Sequence, residues 1–369
     1  MNALLIDKPI ISADSHVVEP VSMYDGRLPK KFTAPYMVRQ GEGDVIIIDG
    51  MDDPYPVGMA SAAGKRGPAL IDYLRKAALG EGHTGGHDPK QRLLDQDTDG
   101  VAAELLYPSL GMHICNHTDP EYKDALFAAY NEWMAEFCAH APERLIGMGQ
   151  TGMSSPQQGI KDLEQIKRLG LRGVMMPGTP LMEDYDSRIY DDFFAAAVDL
   201  EIPISFHIFT YRNDLAKPRG PKINIHISVI RGNQDLIGTM IFGGVFERHP
   251  KLKLVCVEAD AGWAPHFAYK MDHAFEITPH WLGDVTLSKL PSEYFWENVY
   301  VTFQEDKTAL PMRHLLNMDR LLWANDFPHV DSTWPNSKSL LAEFTEDLTV
   351  EEKNKLLHDN VAGLYGLTI

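Results

Sequence analysis

The sequence predicts an α/β protein, a (β/α)8 (TIM) barrel that forms one domain over residues 1–369 and carries an insertion after its first strand. Three observations predict it. Eight short apolar runs are spaced along the chain, amphipathic stretches separate them, and no glycine-rich turn follows the first run. Strand-then-helix units repeated in this way close into a parallel barrel ringed by helices. The competing open, doubly wound sheet calls for a GxGxxG turn after its first strand, and Ser15-His-Val-Val-Glu19 is nothing like one. A chain of 369 residues has the length of two average domains, but a barrel of about 250 residues plus insertions also accounts for it.

The runs are Pro9–His16, Val101–Ser109, Arg144–Gln150, Leu171–Met176, Ile202–Phe209, Leu252–Glu258, Asn298–Gln304 and Arg320–Asp326. Several, such as Leu252–Val257, are almost continuously apolar, as parallel strands covered on both faces should be. Shortness and flanking turn residues favour strands over buried helices. Among the intervening stretches, Asp119-Pro120 opens a helix with Leu126, Tyr130, Trp133, Met134 and Phe137 on one face, and Pro142 stops it. Ser154-Ser155-Pro156 reads as the start of a helix that ends near Gly170. Similar patterns cover Arg188–Leu200, Asn224–Arg248, Thr308–Met318 and Ser337–Glu346, and Thr349–Glu352 is a capping box for a last helix reaching about Tyr365. The long gap between the first two runs is read as an insertion, residues 20–90, lying over the catalytic face. It holds a hairpin-like pattern around Gly41–Gly43 and a glycine-rich stretch, Gly80–His87.

Composition excludes several functions. With 52 acidic against 34 basic residues the net charge is -18, which repels phosphate backbones and anionic lipid, so neither nucleic acid nor a membrane is expected as a partner. Three cysteines without a CxxC pair argue against a disulfide framework. The N-terminal MNALLIDKPI lacks the basic start and long apolar stretch of a signal peptide, and no window reaches membrane-spanning length, so a cytoplasmic protein is expected. No Gly-x-Ser-x-Gly elbow or GxxxxGK[ST] loop supports a serine-hydrolase or nucleotide-phosphate reading.

Reactive side chains gather at the run ends. In a barrel the C-terminal ends of the strands surround one pocket. The first run ends in Asp14-Ser15-His16, with both reactive residues on one face by alternation and Glu19 following in the loop. The fifth ends at His207, the sixth at Glu258-Ala-Asp260, and the eighth at Asn325-Asp-Phe-Pro-His329. Imidazoles and carboxylates without a nearby thiolate suit zinc, manganese or ferrous iron. A single histidine at a strand end is as readily a hydrogen-bonded core residue, so the weight rests on four ends converging.

These segments, Asp14-Ser-His-Val-Val-Glu-Pro20, His207, Glu258-Ala-Asp-Ala-Gly-Trp263 and Asn325-Asp-Phe-Pro-His329, resemble the amidohydrolase superfamily. The likeness runs over nearly the whole chain. It is to the amidohydrolase-related branch that includes aminocarboxymuconate semialdehyde decarboxylase and hydroxybenzoate decarboxylases. The resemblance implies that His16, His207 and Asp326 bind a divalent metal, zinc first, with manganese or iron as alternatives. It also implies a dimer or higher homo-oligomer. Asp14 stands where the family usually has His or Glu, and Glu258 where the better-known decarboxylases have His. A carboxylate there either holds a second ion together with Glu19 or acts as a base, so one or two ions per chain are expected.

The expected chemistry is hydrolysis of a small carbonyl or carboxylate compound, aromatic substrates included. A divalent cation lowers the pKa of bound water from 15.7 toward about 7. Asp326 would take and return that water's proton, and His329 or His266 would help polarise the carbonyl. Non-oxidative decarboxylation of an aromatic or unsaturated acid uses the same ligands and is the first alternative; a non-catalytic ligand-binding barrel is the second. Further candidates are His83 and His87 as lid residues, His113 and His117 as pocket lining, Arg172 and Arg188 as anion partners, and Trp263, Phe327 and Trp334 as stacking surfaces. Surface exposure or core packing accounts for each of these equally well or better.

Overall fold

In the computed structural model, residues 6–40, 43–76, 82–211 and 220–369 are described. The tip of the expected hairpin, Gly41-Glu42, and the start of the glycine-rich stretch, Gly80-Glu81, lie outside them. Every one of the eight runs supplies a strand: β1 (Ile11–Val17), β5 (Ala103–Pro108), a third run divided into β6 (Leu145–Gly147) and β7 (Gly149–Gln150), β8 (Val174–Met175), β9 (Ile204–His207), β10 (Leu254–Val257), β11 (Val299–Phe303) and β12 (Leu321–Trp323). They form two parallel sheets, β1-β5-β6 and β12-β11-β10-β9-β8-β7. A third, antiparallel sheet of β2 (Tyr36–Gln40), β3 (Gly43–Ile47) and β4 (Tyr55–Pro56) lies in the expected insertion. The fold is therefore α/β with parallel sheets. All residues of β1, β5, β10 and β11 are buried, which is why β10 and β11 read as almost continuous apolar sequence, while β1 buries Ser12, Asp14, Ser15 and His16 and β5 buries Glu104.

Backbone bonds bridge the two parallel sheets on both sides. Between β6 and β7 only Met148 intervenes; its N–H reaches Leu106 O at 3.0 Å, and the next N–H, of Gly149, reaches Gly173 O at 2.9 Å. At the other side, Asp326 N–H donates to Asp14 O at 3.0 Å and His16 N–H to Phe327 O at 2.7 Å. The insertion leans on the loop after β12: Ala63 N–H donates to Pro328 O at 3.0 Å, and Val330 N–H to Met59 O at 3.1 Å.

The β1–β5 register slips between Ser12 and Ser15, where β1 advances three residues against two on β5. A bulge of this kind re-aims the side chains that follow it. Here it turns Ser12 and Ser15, which simple alternation would point apart, onto one acceptor: both hydroxyls donate to Asn325 Oδ1, at 3.1 and 2.7 Å.

Helix starts follow local chemistry. The carboxylate of Asp119 accepts from Tyr122 N–H and that of Asp88 from Lys90 N–H, each with Pro in the first turn of its helix, Pro120–Cys138 and Pro89–Asp99. Two helix expectations are corrected. Residues 224–248 are not one helix but Ile225–Ser228, Arg231–Phe242 and Val245–Arg248, the last break falling at Gly243-Gly244, where Gly244 takes a left-handed φ of 72°. Residues 308–318 form no α-helix, only 3-10 turns at Arg313–Leu315 and Met318–Arg320. Pro311 lacks the N–H a helix would use there, and Asp306 draws the Thr308 and Ala309 N–H groups to its own carboxylate. Among the described residues no helix is long and apolar enough to cross a membrane.

Candidate metal centre

The site is built where β1, β9, β10 and β12 end. Asp14 and His16 sit on β1 and His207 closes β9, while Glu258 directly follows β10 and Asp326 comes after β12, beyond Ala324 and Asn325. Glu258 and Asp326 have φ of 55° and 52°, the left-handed region that costs a non-glycine residue energy and that collects at functional sites. The structure brings the ligand atoms of Asp14, His16, His207 and Glu258 within 4.8 Å of one another, and likewise those of His16, Glu258, Asp326 and His329.

Tautomers follow from the neighbours. His16 Nδ1 faces Pro108 O at 3.0 Å and His207 Nδ1 faces Ile208 O at 3.1 Å. A carbonyl only accepts, so each Nδ1 carries the hydrogen and each Nε2 presents a lone pair. Those two Nε2 atoms face each other at 3.2 Å. Around them stand Asp14 Oδ1 at 3.4 and 3.5 Å, Asp326 Oδ1 at 3.4 Å from His16, and Glu258 Oε2 at 3.4 Å from His207. Both oxygens of Asp14 and of Asp326, and Oε2 of Glu258, are buried without a hydrogen bond. Buried acceptors in such a ring repel one another unless a cation sits among them. Donors each about 2.1 Å from one ion lie roughly 3 to 3.4 Å apart, which is the spacing found. The residues present therefore fit a divalent metal.

Without a cation, protons must relieve this crowd. Burial opposes charge on His207, but the Asp14 carboxylate outweighs it and lifts the imidazole above 6.5; burial likewise would raise Asp14, yet the His207 charge and both imidazoles hold it low. Burial, then the Asp14 charge, drives Asp326 well above the carboxylate range; burial, then Asp326, does the same to Glu258. His16 is pushed down to about 3 by burial and the neighbouring His329. A metal must displace the His207 proton, so binding releases protons. Because this proton is held more tightly than a free imidazole's, divalent-metal affinity is expected to weaken as pH falls from 7.5 to 5.5, which chelator competition at the two pH values measures; a pH-independent affinity contradicts it.

His329 closes the ring. It stacks on His16 with centroids 3.8 Å apart, and its Nδ1 lies 3.0 Å from Asp326 Oδ1. The Ser109 hydroxyl donates to Val17 O at 2.7 Å and so accepts from His329 Nε2–H at 2.8 Å. Nδ1 therefore turns its lone pair toward the Asp326 carboxylate, 3.0 Å away without a completed hydrogen bond. Burial, then His207, depresses His329 to about 3, so the imidazole stands neutral beside Asp326.

Two expected site residues stand elsewhere. Glu19 is no ligand: its carboxylate accepts from Ser109 N–H at 3.0 Å and from Leu110 and Gly111 N–H, both at 2.9 Å. It caps the short helix Leu110–Ile114, and burial outweighs these bonds to push it up to about 7. His266 is exposed on the helix Ala264–Ile277 and belongs to neither cluster. The imidazoles of His113 and His117 bond Asp53 O at 3.1 Å and Asp49 O at 2.7 Å, so they tether the insertion. His83 bonds Ala63 O at 2.9 Å and packs edge-on against Phe327 and Trp334. Arg172 and Arg188 are exposed, and Trp263 packs on Phe267 and Phe295. Ser109, which orients His329, gives no sign in the sequence beyond closing its run.

Comparison with known proteins agrees with this geometry. The sequence profile of the amidohydrolase family matches residues 82–367. The 2-amino-3-carboxymuconate-6-semialdehyde decarboxylase of Dictyostelium discoideum is 25% identical over 288 residues, covering 76% of this chain and 77% of that protein. The gamma-resorcylate decarboxylase of Rhizobium radiobacter is 24% identical over 292 residues, covering 68% and 84%. Among solved structures, an amidohydrolase from Mycobacterium avium subsp. paratuberculosis K-10 superimposes with a TM-score of 0.80 at 18% identity, over 98% of this chain and 100% of that one. The 5-carboxyvanillate decarboxylase of Novosphingobium aromaticivorans DSM 12444, solved with manganese, gives a TM-score of 0.69 at 19% identity over 98% of each chain. The chain belongs to the amidohydrolase family, in the branch of these decarboxylases.

Proposed function

We propose that this protein is a divalent-metal-dependent, non-oxidative decarboxylase of an aromatic or unsaturated carboxylic acid. The observation that carries the reading is the ring of unpaired buried carboxylate oxygens around two opposed Nε2 atoms, in a chain whose relatives are named as decarboxylases. Hydrolysis, the expectation from the carboxylates at Asp14 and Glu258, becomes the second reading. The two parallel sheets form, in this proposal, one eight-stranded barrel, supported by the Asp326–Asp14 and His16–Phe327 bonds on one side and the Met148 and Gly149 bonds on the other. Residues 20–90 form the insertion over its catalytic face. Three carboxylates with two or three imidazoles make an oxygen-rich donor set, which suits manganese at least as well as zinc.

Exposure separates the roles. Asp14, His16, His207 and Asp326 are fully closed off, whereas the side chains of Glu258 and His329 keep 15% and 12% of their surface open. The four closed residues hold the ion, and the two open ones face the substrate. When bound, the metal supplies positive charge for a substrate carboxylate or phenolate oxygen. The bond between the ring carbon and the carboxylate breaks, its electron pair stays on the carbon, carbon dioxide leaves, and a proton must arrive. Glu258, whose carboxyl burial pushes above the ordinary range, is placed to deliver that proton. His329, its Nε2–H held by the Ser109 hydroxyl, borders the Asp326 carboxylate with Nδ1 3.0 Å from Oδ1.

Purified protein loaded with manganese and offered hydroxybenzoates and unsaturated diacids is expected to release carbon dioxide in step with the decarboxylated product. Acid-plus-fragment release from esters, amides or β-diketones, with no carbon dioxide from any acid, would instead establish the hydrolytic reading.

A further inference from the structure

A fully buried arginine lies beneath the centre. Arg92, on the helix Pro89–Asp99, has no exposed side-chain surface, and its Nε donates to the buried Glu104 carboxylate on β5 at 2.5 Å. Its Nη1 donates to His16 O at 2.6 Å and its Nη2 to Phe327 O at 3.2 Å. Phe327 O already accepts the His16 N–H at 2.7 Å, so the guanidinium brackets the one backbone bond that ties the His16 peptide to the residue after Asp326. The Phe327 ring covers the guanidinium, 4.8 Å from Cζ to the ring centroid.

The same carboxylate governs the other flank. Asn325, immediately before Asp326, donates Nδ2 to Glu104 Oε1 at 3.2 Å and to Asp99 Oδ2 at 3.1 Å, while its Oδ1 collects the Ser12 and Ser15 hydroxyls and Phe327 N–H. Asp99 is anchored in turn by Ser337, through N–H at 2.9 Å and Oγ at 2.6 Å. Two of the four strand ends that carry candidate ligands, those of β1 and β12, are thus fixed by one planar fork and its counter-charge.

From this arrangement, and resting on the reading of the cluster as a metal centre, we propose that Arg92 is a positioning residue for the metal: it sets the spacing between the His16 and Asp326 ligands by stapling β1 to the end of β12. A planar guanidinium with donors in fixed directions can serve a carboxylate and two carbonyls at once, and a lysine ammonium on a flexible stem cannot hold that geometry. Groups that orient ligands without touching the ion change metal affinity by about 10- to 100-fold.

The test uses three variants: Arg92→Met, Arg92→Lys and, as a control for lost stability alone, Leu163→Ala in the buried face of the helix Pro156–Arg168. Manganese affinity is measured by chelator competition, the cobalt-substituted visible spectrum reports ligand geometry, and circular dichroism reports folding. Arg92→Met is expected to stay folded, bind manganese about 10- to 100-fold more weakly and alter the cobalt spectrum, whereas Leu163→Ala melts earlier yet keeps both. Wild-type affinity and spectrum in folded Arg92→Met, or an equal loss in Leu163→Ala, overturns the assignment. Should Arg92→Met not fold, folded Arg92→Lys decides: weaker binding with a changed spectrum supports it, and wild-type values overturn it. Since metal binding is read without substrate, a wild-type protein that binds manganese but releases no carbon dioxide defeats the proposed reaction and leaves this inference intact.

Discussion

His207→Ala is expected to leave the protein folded but unable to retain a divalent ion through dialysis, with kcat/KM lower by about 10³-fold or more, or roughly 4 kcal/mol of transition-state stabilisation. The physical reason is the pairing of lone pairs. His207 and His16 present bare Nε2 atoms to each other at 3.2 Å, and the Asp14 oxygen that faces both has no hydrogen bond of its own. Removing one imidazole takes away a nitrogen donor and leaves the buried Asp14 and Glu258 oxygens without the group that stands 3.5 and 3.4 Å from them. Elemental analysis checks the loss directly. Thermal melting gives a second view: a ligand at 100 times its Kd stabilises by about 2.7 kcal/mol, so added manganese should raise the wild-type midpoint and leave that of His207→Ala unmoved. Stoichiometric metal in the dialysed variant would mean that the ion sits elsewhere.

Much of this cluster was legible because the residues proposed to hold the ion stand at the ends of the predicted strands. Asp14, His16, His207 and Asp326 each follow or close a stretch with too many apolar residues to be a surface strand, and a parallel sheet brings such ends together. Glu19 was misread by the same logic. A carboxylate three residues after His16 has the look of a ligand, but its partners are the N–H groups of Ser109, Leu110 and Gly111, about ninety residues further on, and no local pattern announces a helix start reaching back across the fold. Arg92 was illegible for a different reason. It sits in the polar stretch Pro89–Asp99, whose composition reads as a solvated helix, and only the fold shows its inner face to be Arg92, Gln96 and Asp99 turned onto Glu104 and Asn325. One signal was available: Glu104 is the sole charged residue inside an otherwise apolar run, and a charge buried in a strand needs a counter-charge somewhere in the chain. In residues 224–248 the apolar periodicity argued for continuity against Gly243-Gly244, and the backbone freedom of the glycine pair prevailed.

Glu258→Gln is expected to lower kcat by about 10³-fold while the protein keeps its metal, within the 10²–10⁴-fold range of a positioned proton donor. Glutamine preserves size and one acceptor oxygen but carries no transferable proton. Burial, then Asp326, raises the Glu258 carboxyl above its ordinary 4.5 in the metal-free site; a bound cation offsets the Asp326 charge, and burial is the contribution that persists to hold the proton at pH values where a free glutamate has lost it. For a group that acts as an acid the sign is fixed: activity is present below the raised value and declines as pH rises through it. Wild-type kcat should therefore fall on the alkaline side, and the residual rate of Glu258→Gln should lack that limb. The metal content of the variant separates the two roles open to this carboxylate. Oε2 lies 3.4 Å from His207 Nε2, close enough to share the ion, yet Glu258 is also the carboxylate of the cluster whose side chain keeps some surface open. Retained metal with lost turnover assigns it to proton delivery. Metal lost in parallel with turnover makes it a ligand, and the proton then has to come from His329, the other partly open residue of the cluster.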